Sequence, residues 1–462
     1  MKRATHLVVL ASILAWAQIT AAQATFPVVS TVTPAPAAAL PVFPNLFGAS
    51  SVNIIVRSSL GADGLKQLCL LHSCTLLYGL DGSANQLFLV QLQNVLDPQL
   101  ALGAFRLLPG ILDAELDQIL SLSPGGAAAT TPPPSLFQHS PVSYYGSTVW
   151  MGYAAQPAAG IVRLSEAQNQ FAALGTGIIA DIDTGVDPTH PALSAVLLPG
   201  YDFTRNQSGA SELADLSGTP LPVDQDQAQP AQVNQYSIAM VDQHSVAMVD
   251  GGAYSAFGHG TEVAGILHLV APQARILPLK AFHSDGTGYL SDILRAIYYA
   301  AQNNARVVNM SFDLTSYSQE LASAISSAEN RGVIFAASSG NSGLETLVYP
   351  AGLTNVMGVA STNDFDQRSS FSNYGDGLVW VAAPGEAIVT TYPFSTYAAV
   401  WGTSFSAPFV SGGADLVLSL LPAADQHSAS SAISVAQPVP QPGMGHGRLD
   451  LYRALSAAQG NP

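Results

Sequence analysis

The stretch Gly402-Thr403-Ser404-Phe405-Ser406-Ala407-Pro408 opens a predicted helix that runs on to Leu420. A serine at a helix amino end is either an ordinary cap or a group held where free N–H groups favour negative charge. Two upstream segments decide between these readings. They are Asp181-Ile182-Asp183-Thr184-Gly185-Val186-Asp187 and Gly258-His259-Gly260-Thr261-Glu262-Val263-Ala264-Gly265. Together the three segments give an acid, a base and a nucleophile in chain order: Asp183, His259, Ser404. A serine hydroxyl needs an imidazole to take its proton and a carboxylate to hold and stabilise the imidazolium. The glycines flanking His259 allow the close backbone approach such a centre requires.

Outward from these segments, the chain beyond residue 150 alternates strand and helix. Predicted strands are Gly177–Ile182, Ala274–Ala281, Arg306–Met310, Val333–Ala337 and Val356–Ala360. Predicted helices are Thr261–Leu269, Leu290–Asn303, Ser318–Arg331, Ser404–Leu420 and a last one over Leu451–Ala458. Such alternation means a doubly wound, mainly parallel α/β sheet with helices on both faces. Sites in such sheets lie beyond the carboxyl ends of the strands, where Asp183 stands. Residues 204–256 break the pattern. They are polar, and rich in Gln and Asp, and carry an imperfect repeat, Ser237-Ile238-Ala239-Met240-Val241-Asp242 and Ser245-Val246-Ala247-Met248-Val249-Asp250. This reads as a surface insertion, with strand-like alternation in the repeat.

The Asp-His-Ser order and the glycine-rich surroundings resemble the subtilisin-like serine proteases, over roughly residues 150–460. The resemblance implies a serine-type endopeptidase: Ser404 as nucleophile, His259 as base, Asp183 as orienting acid. It implies an oxyanion hole made by the Asn341 side chain, in Ser339-Gly340-Asn341-Ser342-Gly343, together with the Ser404 backbone amide. It implies substrate-binding edges at Gly286-Thr287-Gly288 and at Ser311-Phe312-Asp313, which would take a peptide as an added strand. Asp313 stands where the family has Gly, and Asp181 where it has an apolar residue; Asp181 reads as structural, as does His190. Catalysis requires no cofactor in this family, and calcium enters only as a structural ion. A common calcium ligand follows the His-Pro pair, and here Ala192 occupies that place. Two rivals are a serine-carboxyl peptidase, with Glu262 one turn from His259, and a non-catalytic binding protein on the same scaffold.

Ahead of this domain, Val52–Val56, Leu76–Tyr78 and Gln86–Leu92 read as strands, and Gly61–Leu71 and Pro98–Leu107 as helices, with Ile111–Leu120 closing the unit. The order suits a small α+β, ferredoxin-like domain over 50–120. By position it resembles the family's propeptide (25–122), the enzyme's own inhibitor. Residues 123–149 read as a linker holding the maturation site. Cys69 and Cys74 are the two cysteines, and an exported chain would pair them as a disulfide. Lys2 and Arg3, the apolar run Leu7–Trp16 and Ala22-Gln23-Ala24 read as a secretory signal over 1–24. Charged residues make up 10% of the chain, hydrophobic residues 48%, and the net charge is −16. This describes an ordered, well-buried globule more than a disordered chain, and leaves no basic stripe for nucleic acid. The expectation is a secreted or periplasmic monomer, with no membrane contact after signal cleavage and a peptide or protein as substrate.

Overall fold

The computed structural model describes residues 50–122, 132–216 and 254–460, and the backbone of Met240–Val241. The signal segment, the lead-in, residues 123–131 and most of the 204–256 stretch with its repeat lie outside the described residues. No described helix is long and apolar enough to cross a membrane.

The first unit is a four-stranded antiparallel sheet in the order Cys74–Gly79, Leu87–Val95, Ser50–Ser58, Ile111–Leu116. Helices Gly61–Leu71 and Pro98–Arg106 pack on it. Alternate residues of the strands, Ile54, Val56, Phe88 and Val90, join Leu65, Leu102 and Phe105 of the helices in one small core. The second helix starts sharply because Asp97 accepts from the amides of Gln99 and Leu100, with Pro98 at the first helical position. Cys69 at the helix end and Cys74 at the next strand's start form a disulfide with Cα atoms 4.5 Å apart. The closing segment, expected as one strand, is two: after Leu116 the chain turns away and Ile119–Ser121 pairs elsewhere.

The second unit is built on an eight-stranded sheet. Its order is Gln207–Ser208, Tyr201–Asp202, Arg275–Lys280, Ile178–Asp183, Val307–Met310, Ile334–Ser338, Met357–Thr362, Val381–Pro384. All pairings are parallel except the first. The central strands are apolar on both faces because helices cover both. Ile179, Val307, Ala336 and Val359 face helices His259–Val270 and Thr403–Leu420, while Ala180, Ile182, Val308, Met310 and Phe335 face Leu290–Gln302 and Gln319–Glu329. Side chains alternate along a strand. Asp181 and Asp183 therefore share the face of Ile179, toward the helices that carry His259 and Ser404.

Residues 132–149, expected as linker, are folded. Pro141–Tyr144 pairs with Ser147–Trp150 as a hairpin through Tyr145 and Gly146, both at positive φ. The Tyr144 hydroxyl donates to the carbonyl of Leu269, and Leu136 and Val149 are buried in the main core. The larger domain thus starts ahead of residue 150. The expected surface insertion also needs correction: Gln207–Ser208 belongs to the main sheet, and Glu212 is 0% exposed. Met240–Val241 pairs with strand Thr396–Val400, itself in a hairpin with Ile388–Tyr392.

Candidate active site

Asp183 ends its strand, and the turn that follows carries its carboxylate to the helix that begins at His259. The close approach depends on two glycines. A Cβ on Gly260 would lie 2.0 Å from the Gly185 carbonyl oxygen, and Gly185 itself has φ +99°. His259 Nδ1 lies 2.7 Å and 2.9 Å from the two Asp183 oxygens, and both residues are buried. The amide of Thr184 donates to Asp183 Oδ1 at 2.6 Å, which fixes the carboxylate's plane. With Nδ1 engaged, Nε2 is the nitrogen left to exchange a proton.

Ser404 lies in the first turn of Thr403–Leu420, and the adjacent Phe405 ring packs against the His259 ring at 5.4 Å between centroids. Its hydroxyl donates to the Ser311 carbonyl at 3.3 Å, and its own carbonyl accepts from the Ser311 hydroxyl at 2.8 Å. Asn341 follows strand Ile334–Ser338. Its Oδ1 accepts from both the amide and the hydroxyl of Thr403, each at 2.8 Å. With Oδ1 taken by these two hydrogen bonds, Nδ2 is the end of the amide left to donate, and it lies 3.4 Å from where a Cβ on Gly402 would stand. The four residues singled out from sequence therefore converge from four elements at the carboxyl edge of one sheet.

Of the two expected edges, one touches this point directly and the other holds a strand of the first unit. Ser311-Phe312-Asp313 leaves the end of Val307–Met310 and touches Ser404 through Ser311. Thr287–Tyr289 is already paired, antiparallel, with Ile119–Ser121 of the first unit, in the register Thr287 with Ser121 and Gly288 with Leu120. The amide of Leu122 continues the ladder to the Gly286 carbonyl at 2.9 Å. Leu120 and Leu122 are buried in the core that contains Phe282 and Phe312.

Around the centre lies a set of buried ionisable groups. Asp181 Oδ1 accepts from Asn309 Nδ2 at 3.0 Å, and the same amide group donates to the Ser311 hydroxyl at 3.0 Å. Asp181 Oδ2 is buried without a hydrogen-bond partner. Burial first, and then the charge of Asp183, holds Asp181 well above the usual carboxylate range. His190 is structural: its Nε2 meets the Thr396 carbonyl at 2.9 Å and Nδ1 accepts from the Ala192 amide. It is His259, not Glu262, that pairs with Asp183.

Two residues that sequence reading passed over stand out. Lys280, fully buried in parallel register with Asp183, donates to the carbonyls of Thr184 and Phe282 at 2.7 Å each and to Asp215 at 2.9 Å. Glu212 accepts from the Gly258 amide at 2.8 Å. A lysine closing an apolar strand run, in a chain with only Lys2, Lys66 and Lys280, was the available signal for the first. As for calcium, Ala192 offers no side-chain oxygen, and no group of three or more His, Cys, Asp or Glu among the described residues is arranged to hold a metal ion. The residues after His190-Pro191 do not fit that ion.

The subtilase family model (peptidase S8) matches residues 176–443, more than half the chain. A thermophilic serine proteinase of Bacillus sp. (strain AK1) is 36% identical over 241 residues, covering 52% of this chain and 52% of the relative. Thermitase of Thermoactinomyces vulgaris is 34% identical over 251 residues, covering 52% of this chain and 74% of thermitase. Subtilisin BL of Lederbergia lenta is 42% identical over 169 residues, covering 35% and 62%. The chain thus spans about half to three-fifths of the length of the first of these and of the subtilisin. Among solved structures, fervidolysin of Fervidobacterium pennivorans, described as a keratinolytic enzyme related to subtilisin, superposes with a TM-score of 0.66 at 20% identity, over 90% of this chain and 62% of its own. That likeness is one of fold.

Proposed function

The chain belongs to the subtilase family, and from that premise we propose that it is a secreted serine endopeptidase that works through an acyl-enzyme on Ser404. The observation that carries the reading is the His259 Nδ1 to Asp183 bond at 2.7 Å, set beside Ser404 and Asn341. In the proposed cycle, rotation about the Ser404 Cα–Cβ bond carries the hydroxyl from the Ser311 carbonyl to His259 Nε2. His259 takes the proton as Oγ attacks the scissile carbonyl, and Asp183 stabilises the imidazolium. The developing oxyanion takes hydrogen bonds from Asn341 Nδ2 and the Ser404 amide. His259 then protonates the leaving amine, and water repeats the sequence on the ester.

We further propose that residues 50–122 are the enzyme's own inhibitory propeptide. The pairing of Ile119–Leu122 with Gly286–Tyr289 supports this, since it fills the edge a substrate strand would use. Leu120 and Leu122, inserted at alternate positions, support a preference for aliphatic side chains at the two corresponding substrate positions. Self-processing within residues 123–133, export after signal cleavage and a monomeric mature enzyme complete the proposal.

The test compares wild type with Ser404→Ala, using a fluorophosphonate probe and hydrolysis of an unstructured protein substrate. Labelling and hydrolysis in the wild type alone support the reading. A wild type that does neither, after removal of residues 1–133, would overturn it in favour of a non-catalytic scaffold.

A further inference from the structure

Residues Gly209–Leu216 press directly on the turn that carries Asp183. The Val186 amide donates to the Ala210 carbonyl at 2.9 Å, and a Cβ on Gly185 would lie 2.5 Å from that same oxygen. This approach delivers Glu212, 0% exposed, between the turn after Asp183 and the first turn of the His259 helix. One oxygen accepts from the Gly258 amide at 2.8 Å and from the Thr184 hydroxyl at 3.4 Å; the other accepts from the Thr261 hydroxyl. Thr184 Oγ1 accepts in turn from the Gly260 amide at 3.0 Å, and Thr261 Oγ1 from the Asp187 amide at 2.8 Å. The carboxyl thus bonds residues on both sides of the Asp183–His259 pair while touching neither.

We propose that Glu212 is a positioning residue of the catalytic centre, clamping the Asp183 turn to the His259 helix. The proposal rests on the endopeptidase reading above. Burial pushes the Glu212 carboxyl up to about 8, the bonds from Thr261 and Gly258 and the charge of Lys280 oppose this, and the charge of Asp183 adds to it. A neutral group is therefore at home there. A glutamine keeps an oxygen to accept from Gly258 and Thr184, and its amide donates to Thr261 as a protonated carboxyl would, the Thr261 hydroxyl then accepting where it donates to the carboxylate. An alanine leaves the Gly258 amide and both hydroxyls without that partner.

The experiment uses the full chain as wild type, Glu212→Gln, Glu212→Ala and Glu212→Asp. It reads kcat and KM per fluorophosphonate-titrated site, and the low-field proton resonance of the His259 Nδ1–H bond to Asp183. Glu212→Ala should lose roughly 10- to 100-fold in kcat with KM changed by less than about 2-fold, and its resonance should shift or broaden. Glu212→Gln should restore kcat to within about 3-fold. Glu212→Asp, one methylene too short to span both segments, should behave as alanine does and serves if the alanine variant does not fold. A wild-type kcat per titrated site with an unmoved resonance in the alanine or aspartate variant, whatever the melting temperature, overturns the proposal. If the wild type itself neither hydrolyses nor takes the probe, the endopeptidase reading fails, and the resonance alone decides on Glu212 by the same criterion.

Discussion

Asp181 and Asp183 lie two residues apart on one strand face, and their surroundings give them different work. Asp183 accepts from His259 and Thr184. Asp181 meets only the Asn309 amide, and burial favours its neutral form. A neutral acid loses little on conversion to an amide. Asp181→Asn should therefore keep most of the peptidase activity, whereas Asp183→Asn should lower kcat by about 10⁴ by holding His259 in the wrong tautomer. A peptide assay of the two variants checks this, and the reverse order would reassign the acid. Asn341→Ala should cost about 2.7–4 kcal/mol of transition-state stabilisation, read as a fall in kcat with little change in KM. At this scale the sequence was most legible where chemistry is contiguous: Gly258-His259-Gly260 and Gly402-Thr403-Ser404 announce themselves within a few residues. Glu212 does not, because its partners are 28 to 49 residues away along the chain and its neighbours carry no periodic signal.

Helix Leu290–Gln302 has no side-chain cap of its own at Tyr289. Asp117 of the first unit supplies one, its two oxygens accepting from the Ser291 amide and hydroxyl at 2.9 Å each. Glu115 similarly accepts from Ser318, the residue that caps Gln319–Glu329. Arg57 reaches across to Glu320, its Nε 3.1 Å from both oxygens. Asp117→Ala should weaken the hold of the first unit by about 1 kcal/mol, the worth of a lost cap. That is about 5-fold in the Kd measured by calorimetry between the cleaved unit and the Ser404→Ala domain, and an unchanged Kd would show that the cap carries no binding energy. The major helices and parallel strands were readable because apolar runs of the right length were bounded by Gly and polar residues. The hairpin Pro141–Trp150 was lost inside a supposed linker, although Tyr145-Gly146 between alternating apolar residues is a two-residue turn signal. Short strands such as Val381–Pro384 and Thr396–Val400, four or five residues long, lack the length for a period to register.

For the whole molecule, the contact between the two units holds carboxyl groups that burial has moved. Glu115 rises from 4.5 to about 7 and Asp117 from 3.8 to about 6, desolvation being the largest cause for both. If release returns both groups to ordinary values, the bound state holds protons more tightly than the free one. Their contribution to association is then fully present below about pH 4, and is lost as pH rises through about 6 and 7. The cleaved first unit should stay bound through gel filtration at pH 5 and separate more readily at pH 8; the opposite order would contradict this. The account rests finally on Ser404 being a nucleophile that can act on its own chain. The most direct measurement is intact mass over time for wild type and Ser404→Ala expressed in parallel. The prediction is that wild type loses everything up to a bond within residues 123–133, while the variant keeps residues 50–122 attached. Identical processing of both chains, or none in either, would contradict it.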